Sequence, residues 1–311
     1  MQSNQPGKFL LPIDGSKRSL ETVRQLAAIK PFQRHKVVLF HVFNVVPECY
    51  WDLAKEPKSI KIVTPVKAWE AEQRKSIEAA MQKARGMLLR AGFAKQAVKI
   101  VIRDRKKGIA RDIVSEARND YTAVIIRRRG SGAIRSLVLG SVATKLIESI
   151  TFAPVLIMGR RKQAGKVLVA MDSSQGAMRA LDFVAAQLGG FDFDVHLLHV
   201  IRGNGEIARK HPGPTTTDEC RDKAKELIRA TFDEARRRLV AGGFNNNQIS
   251  ETVITKAFSR AGTIAKIVKE QKYDTIVIGR RGVSQPRSFA IGRVSNKVIQ
   301  MARQFSVWVV D

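Results

Sequence analysis

The stretch "VKIVIRDRKKGIARDIVSEARNDYTAVIIRRRG" (98–130) reads as strand, helix, strand and basic glycine loop. Its outer runs, VKIVIR and TAVII, are short, apolar and β-branched. The segment between them, near 108–118, places its apolar residues at helical spacing. Two apolar strands joined by a helix form a parallel crossover, which belongs in a sheet covered on both faces. The same order returns in "ETVITKAFSRAGTIAKIVKEQKYDTIVIGRRG" (251–282).

The repetition extends outward from there. FLLPIDGS (9–16) matches VLVAMDSS (167–174), each an apolar run ending in Asp and a small polar residue. VVLFHVFNV (37–45) matches DVHLLHVIR (194–202), and each carries a His-Val pair, His41-Val42 and His199-Val200. The stretch 131–159 matches 283–311. Order is kept throughout at an offset of about 150 residues, so a domain-sized unit is duplicated. The boundary falls in the polar stretch GRRKQAGK (159–166), giving expected domains 1–160 and 161–311. In the first copy strands are expected near 8–13, 36–43, 98–103, 122–127 and 154–158. Helices are expected near 17–29, 66–91, 108–118 and 140–150. The fold class is α/β: two tandem doubly wound, parallel-sheet, Rossmann-like domains of five strands each. The last strand of each copy, 153–159 and 306–311, is an edge that needs a partner.

Composition bounds the function. At 311 residues and 44% hydrophobic the chain has material for two packed cores. No apolar run approaches the roughly 20 residues of a membrane span, and MQSNQPGKF (1–9) lacks the apolar core of a signal peptide. A cytoplasmic protein without a membrane partner is the expectation. Cys49 and Cys220 are far apart and outside any C-x-x-C pair, which reads as two free thiols. The formal net charge is +27, and it is spread: residues 1–160 carry 30 basic and 13 acidic groups, residues 161–311 carry 25 and 15. Such a field attracts anions without choosing among nucleotides, nucleic acid, lipid and acidic proteins. Basic clusters at 103–107, 127–129, 160–162 and 236–238 are not interleaved with aromatics, which are 6% of the chain. That gives nucleic acid little support.

The two glycine loops share one spacing. Arg127-Arg-Arg-Gly130 is followed by nine residues and Gly140-Ser141; Gly279-Arg-Arg-Gly282 by nine residues and Gly292-Arg293. Glycine lets backbone N–H groups approach an anion, and the second glycine of each loop opens a helix whose first N–H groups suit phosphate. Ser141 can cap that helix or donate to a phosphate oxygen. No G-x-x-x-x-G-K-[ST], no complete dinucleotide fingerprint, no H-E-x-x-H and no G-x-S-x-G occurs. Asp14 and Asp172 stand where ligands of such folds bind, at the ends of first strands. Neither has a second carboxylate in matched register, so no catalytic constellation is visible. Asp14 with Ser16 alternatively caps the next helix. His196 and His199 are three apart in a strand and face opposite ways, which suits core histidines better than a metal pair. Segments 46–66 and 203–218 read as loops over the sites, with a lid as one role.

PIDGS after the first strand, HV on the second, and G-x-x-G, nine residues, G-[ST] together resemble the universal stress protein family. The resemblance covers nearly the whole chain as two tandem domains. It implies ATP or a related adenine nucleotide as ligand, with Mg2+ as a companion ion, and at most slow hydrolysis. It implies that Asp14 and the backbone around Val42 meet adenine or ribose, and that Gly130, Gly140 and Ser141 meet the phosphates. In the second copy the matching positions are Asp172, Val200, Gly279, Gly282 and Gly292. Two residues depart from the pattern. Arg127 replaces the leading glycine of the first loop, to crowd the ribose or to turn outward. Arg293 replaces the Ser/Thr of the second, a poor neighbour for a helix N-terminus unless an anion is bound. The family also pairs last strands across a dimer, which implies an internal pseudo-dimer here, or a homodimer. Two further readings stand beside a nucleotide-dependent stress protein: a nucleotide-free module for an acidic protein partner, and a charge-driven nucleic-acid binder.

Overall fold

The computed structural model describes residues 6–46, 60–128, 139–160, 165–203, 216–282 and 290–311. By contact the chain divides into two compact units, Gln5–Leu146 and Ile147–Asp311.

In the unit Gln5–Leu146, strand β1 (Lys8–Pro12) leads to helix α1 (Lys17–Ala27), then β2 (Lys36–Phe43) and α2 (Ile60–Arg90). β3 (Val98–Asp104), α3 (Ile109–Ala117) and β4 (Ala123–Arg127) follow. The strands lie in the order β3-β2-β1-β4, all parallel. Leu10 is opposite Val38 on one side and Val124 on the other. β1, β2 and β4 are largely apolar, as strands covered on both faces must be, while β3 at the end of the order exposes Lys99, Arg103 and Asp104. Phe9, Leu10, Val37, Leu39, Val124 and Ile125 are buried. Helix α1 buries Val23 and Leu26, and α2 buries Met81, Ala84 and Leu88, spaced for one helical stripe. Helix α2 begins six residues before its expected start at 66 and carries Pro65 inside. The sequence argues for a start at the proline, since the residue before proline avoids helical geometry; the structure continues through it.

Helix α4 (Ser141–Ser149) runs across the division between the units. The unit Ile147–Asp311 then holds β5 (Val155–Met158), β6 (Lys166–Ala170), α5 (Gln175–Leu188), β7 (Asp194–Arg202) and α6 (Thr216–Ala241). After them come β8 (Ile249–Ala257), α7 (Arg260–Glu270), β9 (Thr275–Gly279), α8 (Arg293–Met301) and β10 (Ser306–Val310). The order is β5-β10-β9-β6-β7-β8. All neighbours are parallel except β5 and β10, which run antiparallel with Val307 opposite Ile157 and Val309 opposite Val155. The last strands of the two sequence copies therefore pair with each other, and contacts group the strands four and six.

The pairing is close at its end. A Cβ on Gly159 would lie 2.3 Å from the carbonyl carbon of Phe305, and the Gly159 N–H donates to Ser306 Oγ at 3.1 Å. Trp308, 1% exposed, sits edge-on to Phe183 with ring centres 5.9 Å apart. Among the described residues no helix is long and apolar enough to cross a membrane.

Candidate functional site

Strand β6 pairs with β7 on one side and β9 on the other. The chain moves from β6 to β7 to β8 in one direction and returns to β9 beyond β6. A cleft at the carboxyl ends of the strands is the geometric result. A cavity of about 1040 Å³ opens there. Its wall brings together Asp172, Val200, Gly279, Gly282, Gly292 and Arg293, all six second-copy positions singled out in the sequence.

Asp172 follows β6. Its Oδ1 accepts from the Ser174 backbone N–H at 3.0 Å and from the Ser174 hydroxyl. Ser174 Oγ in turn accepts from Ala177 N–H at 3.1 Å and caps α5. The carboxylate is thus built into a helix cap through one oxygen, and Oδ2 is left toward the cavity. Gly282 faces that oxygen: a Cβ there would lie 2.6 Å from it. Gly292 caps α8, its N–H donating to the Arg280 carbonyl at 2.8 Å, and Ser295 Oγ donates to the Gly279 carbonyl at 2.8 Å. These two bonds tie the start of α8 to the end of β9.

The His-Val pair has a positional role. His199 Nδ1 lies 2.8 Å from the carbonyl of Met171, the residue before Asp172. A carbonyl only accepts, so this nitrogen carries the proton. Burial holds the imidazole below its ordinary range, against the raising effect of that bond and of Asp172. A neutral ring on β7 therefore clamps the end of β6. His41 repeats the contact with Ile13 at 2.6 Å, and burial lowers it likewise. His196 is elsewhere, its Nδ1 2.9 Å from Ser250 Oγ.

The rest of the lining combines apolar and cationic residues. Met171, Leu198, Val200, Ala261, Ile264 and Ile278 contribute the apolar part. Phe258, at the cavity's edge, is 93% exposed. Arg202, Arg260, Arg281, Arg293 and Lys297 contribute the cations. Arg260 Nε donates to the Val200 carbonyl at 3.2 Å, and Arg281 pairs with Asp311 at 3.1 Å. Sequence reasoning singled out none of Arg202, Phe258, Arg260, Arg281 and Lys297. Arg281 and Lys297 had legible signals, one inside the basic glycine loop and the other one helical turn after Arg293.

Arg280, the first of the two arginines in the loop Gly279-Arg-Arg-Gly282, turns away from the cavity. It is fully buried, and its guanidinium donates to the carbonyls of Ile147 and Ile150 at the end of α4, at 2.6 and 2.5 Å. Cations suit a helix C-terminus. Its counterpart Arg128 is also buried, and desolvation lowers its pKa to about 10.

In the first copy, Asp14 Oδ1 accepts from Ser16 N–H at 3.1 Å and Ser16 Oγ at 2.6 Å, and Ser16 caps α1. The capping role of Asp14 with Ser16 is therefore present. Val42 is 6% exposed. Gly140 N–H donates to the Arg128 carbonyl at 2.6 Å, and Ser141 begins α4. Gly130 lies outside the described residues, as does most of the stretch 46–66 and of 203–218. Arg127 lies against α1, donating to the Arg18 carbonyl and standing 3.5 Å from Thr22 Oγ1. In the second copy glycines occupy the places of both arginines. A Cβ on Gly279 would lie 2.7 Å from the carbonyl carbon of Gly176, so α5 and β9 touch backbone to backbone.

The basic cluster at 236–238 is occupied by ion pairs: Arg236 with Glu251, Arg237 with Glu234, and Arg238 with Asp182 and Glu234. Arg103 pairs with the buried Glu116.

Comparison with known proteins matches this architecture. A universal stress protein of Mycolicibacterium smegmatis is 24% identical over 300 residues, covering 94% of each chain. The crystal structure of a universal stress protein from Archaeoglobus fulgidus superposes with a TM-score of 0.62 at 19% identity, over 99% of this chain and 97% of that one. A functionally unknown protein from Pseudomonas aeruginosa gives 0.58 at 13% identity, over 99% and 93%. At such identities the solved structures speak for the fold. The family model described as Universal stress protein family matches residues 6–158 and again 164–311, so the chain belongs to the universal stress protein family as a tandem two-domain member.

Proposed function

We propose that the chain binds an adenine nucleotide, ATP foremost, in the cavity of its second copy, and that the bound state acts on a partner in a stress response. The observation that carries this is the convergence of six residues from four separate stretches on one cavity: Asp172, Val200, Gly279, Gly282, Gly292 and Arg293. Its volume suits a nucleotide-sized ligand. Its lining supplies apolar side chains for a flat base and cations for phosphates. Asp172 Oδ2 is a ready acceptor for ribose hydroxyls. Gly282 keeps that oxygen accessible, and the α8 N-terminus beside Gly292 offers backbone N–H groups to phosphate. Among the described lining residues His199 is held on the Met171 carbonyl, Ser174 and Ser259 cap helices, and Ser295 is bonded to the Gly279 carbonyl, so the reading is a binding protein whose output is conformation or partner choice.

The test starts from protein purified without added nucleotide. Denaturation and mass spectrometry should release an adenine nucleotide, or calorimetric titration at low salt should show ATP binding to the emptied chain. Gly282→Val drives a side chain into Asp172 and should abolish the binding without lowering the melting temperature. A chain that neither carries nucleotide nor binds ATP sinks the proposal, and leaves the nucleotide-free module for an acidic partner.

A further inference from the structure

The cavity lining has one carboxylate and five cations among the described residues. The carboxylate, Asp172, is half engaged, since Oδ1 accepts from Ser174. Two of the cations are also engaged, Arg260 on the Val200 carbonyl and Arg281 on Asp311. The side chains of Arg202, Arg293 and Lys297 make no hydrogen bond or ion pair among the described residues.

Arg293 and Lys297 lie one turn apart on α8, where side chains four residues apart are neighbours. The first turn of that helix holds no acidic residue. Two like charges therefore crowd one face of a helix next to its positive end, an arrangement that costs the empty protein stability. An anion placed against both reverses the sign.

A divalent cation asks for something else. Mg2+ is held by oxygen ligands, commonly one or two carboxylates together with the substrate's phosphates and water. Among the described lining residues Asp172 is the one carboxylate, with Oδ1 already engaged, and it shares the cavity with guanidinium and ammonium groups that repel a metal ion. No group of three or more His, Cys, Asp or Glu residues that could hold a metal occurs among the described residues. The residues present fit a phosphate chain and do not fit its usual companion ion.

We propose that the second-copy cavity takes its polyphosphate ligand as the metal-free anion, with Arg293 and Lys297 supplying the neutralising charge in place of Mg2+. The proposal rests on the nucleotide reading above and specifies the ligand's form. Arginine can grip phosphate oxygens in a bidentate way, and lysine acts as a point charge. Complexing the phosphates with Mg2+ removes negative charge from the ligand before it reaches these side chains.

The experiment is titration of the full chain with AMP, ADP and ATP at constant ionic strength, once in EDTA and once in excess Mg2+. In EDTA, affinity should rise from AMP to ATP by about tenfold for each added phosphate, as charge-assisted contacts accumulate. Excess Mg2+ should weaken ATP binding and leave AMP unchanged. Arg293→Ser and Lys297→Ala should each cost ATP about tenfold and flatten the ladder, with AMP affinity retained. Both side chains are exposed, so melting curves should show these variants folded. Gly282→Val controls for general attraction by the basic surface, and any binding that survives in it is subtracted. Binding of ATP only in Mg2+, or equal affinity for AMP and ATP in EDTA, overturns the proposal while the nucleotide reading stands. Absence of nucleotide binding in both buffers removes the nucleotide reading and this inference together.

Discussion

Arg280 and Arg281 are adjacent in sequence and opposite in role. One guanidinium is wholly buried on helix carbonyls, and the other lines the cavity and pairs with Asp311. Alternation along the chain explains the split, because successive side chains leaving a strand point to opposite faces. Arg280→Ala would strip charged donors from two buried carbonyls and leave a cavity. Thermal denaturation should show a loss of about 3 kcal/mol. His35 supplies a pH effect. Its Nδ1 accepts from the Gly7 N–H at 2.8 Å, and its ring packs on Phe9 and Phe32. Desolvation, with Arg34 nearby, lowers it from 6.5 to about 4. Between those values the unfolded chain binds the proton and the folded chain does not. The stability contribution is full above 6.5 and is lost as pH falls toward about 4. Melting temperatures should drop across that window, and His35→Gln should flatten part of the drop. A pH-independent difference between the two proteins would refute the assignment.

At the scale of elements, the two copies solve one packing problem in two ways. The first helix of each copy lies beside the fourth strand. In the second copy, Gly176 and Gly279 let α5 and β9 meet through their backbones. In the first, Arg18 and Arg127 stand at the same places, and the Arg127 side chain spans the contact to the Arg18 carbonyl. Gly279→Ala should therefore force α5 from β9, since backbone atoms cannot rotate out of the way. We expect a cost of about 2 kcal/mol in thermal denaturation and a reshaped cavity. Arg127→Gly should cost less, because the first copy has no backbone contact waiting for it. If the two changes proved equal, the close approach of α5 would not be what demands glycine.

For the whole molecule, the governing quantity is the net charge of +27. Most of the ion pairs sit on exposed side chains and contribute little each, as with Arg237–Glu234 and Lys266–Glu270. Uncompensated repulsion should outweigh them. Raising salt from about 0.01 to 0.15 M shortens the screening length from about 30 to about 8 Å. The melting temperature should rise over that range, while affinity for any polyphosphate should fall. A melting temperature that declined with salt would mean that attractive pairs dominate after all.

The sequence alone determined the duplication and, for most elements of the first copy, the strand and helix positions to within a few residues; these follow from local periodicity and apolar runs, which are written along the chain. The family resemblance singled out six residues that line the second cavity. Helix α2 escaped in part, because its start at Ile60 overrides the local signal of Pro65. Tertiary structure decided the rest. It turned Arg280 inward and Arg281 toward the cavity. It made His199 a clamp on Met171 rather than a ligand, left Phe258 open at the edge, and joined β5 to β10. These depend on which residues far apart in the chain are brought within a few ångströms, and on how much water is left around them. A linear pattern carries neither the distance nor the desolvation, so it names a basic loop and cannot say which of its arginines is buried.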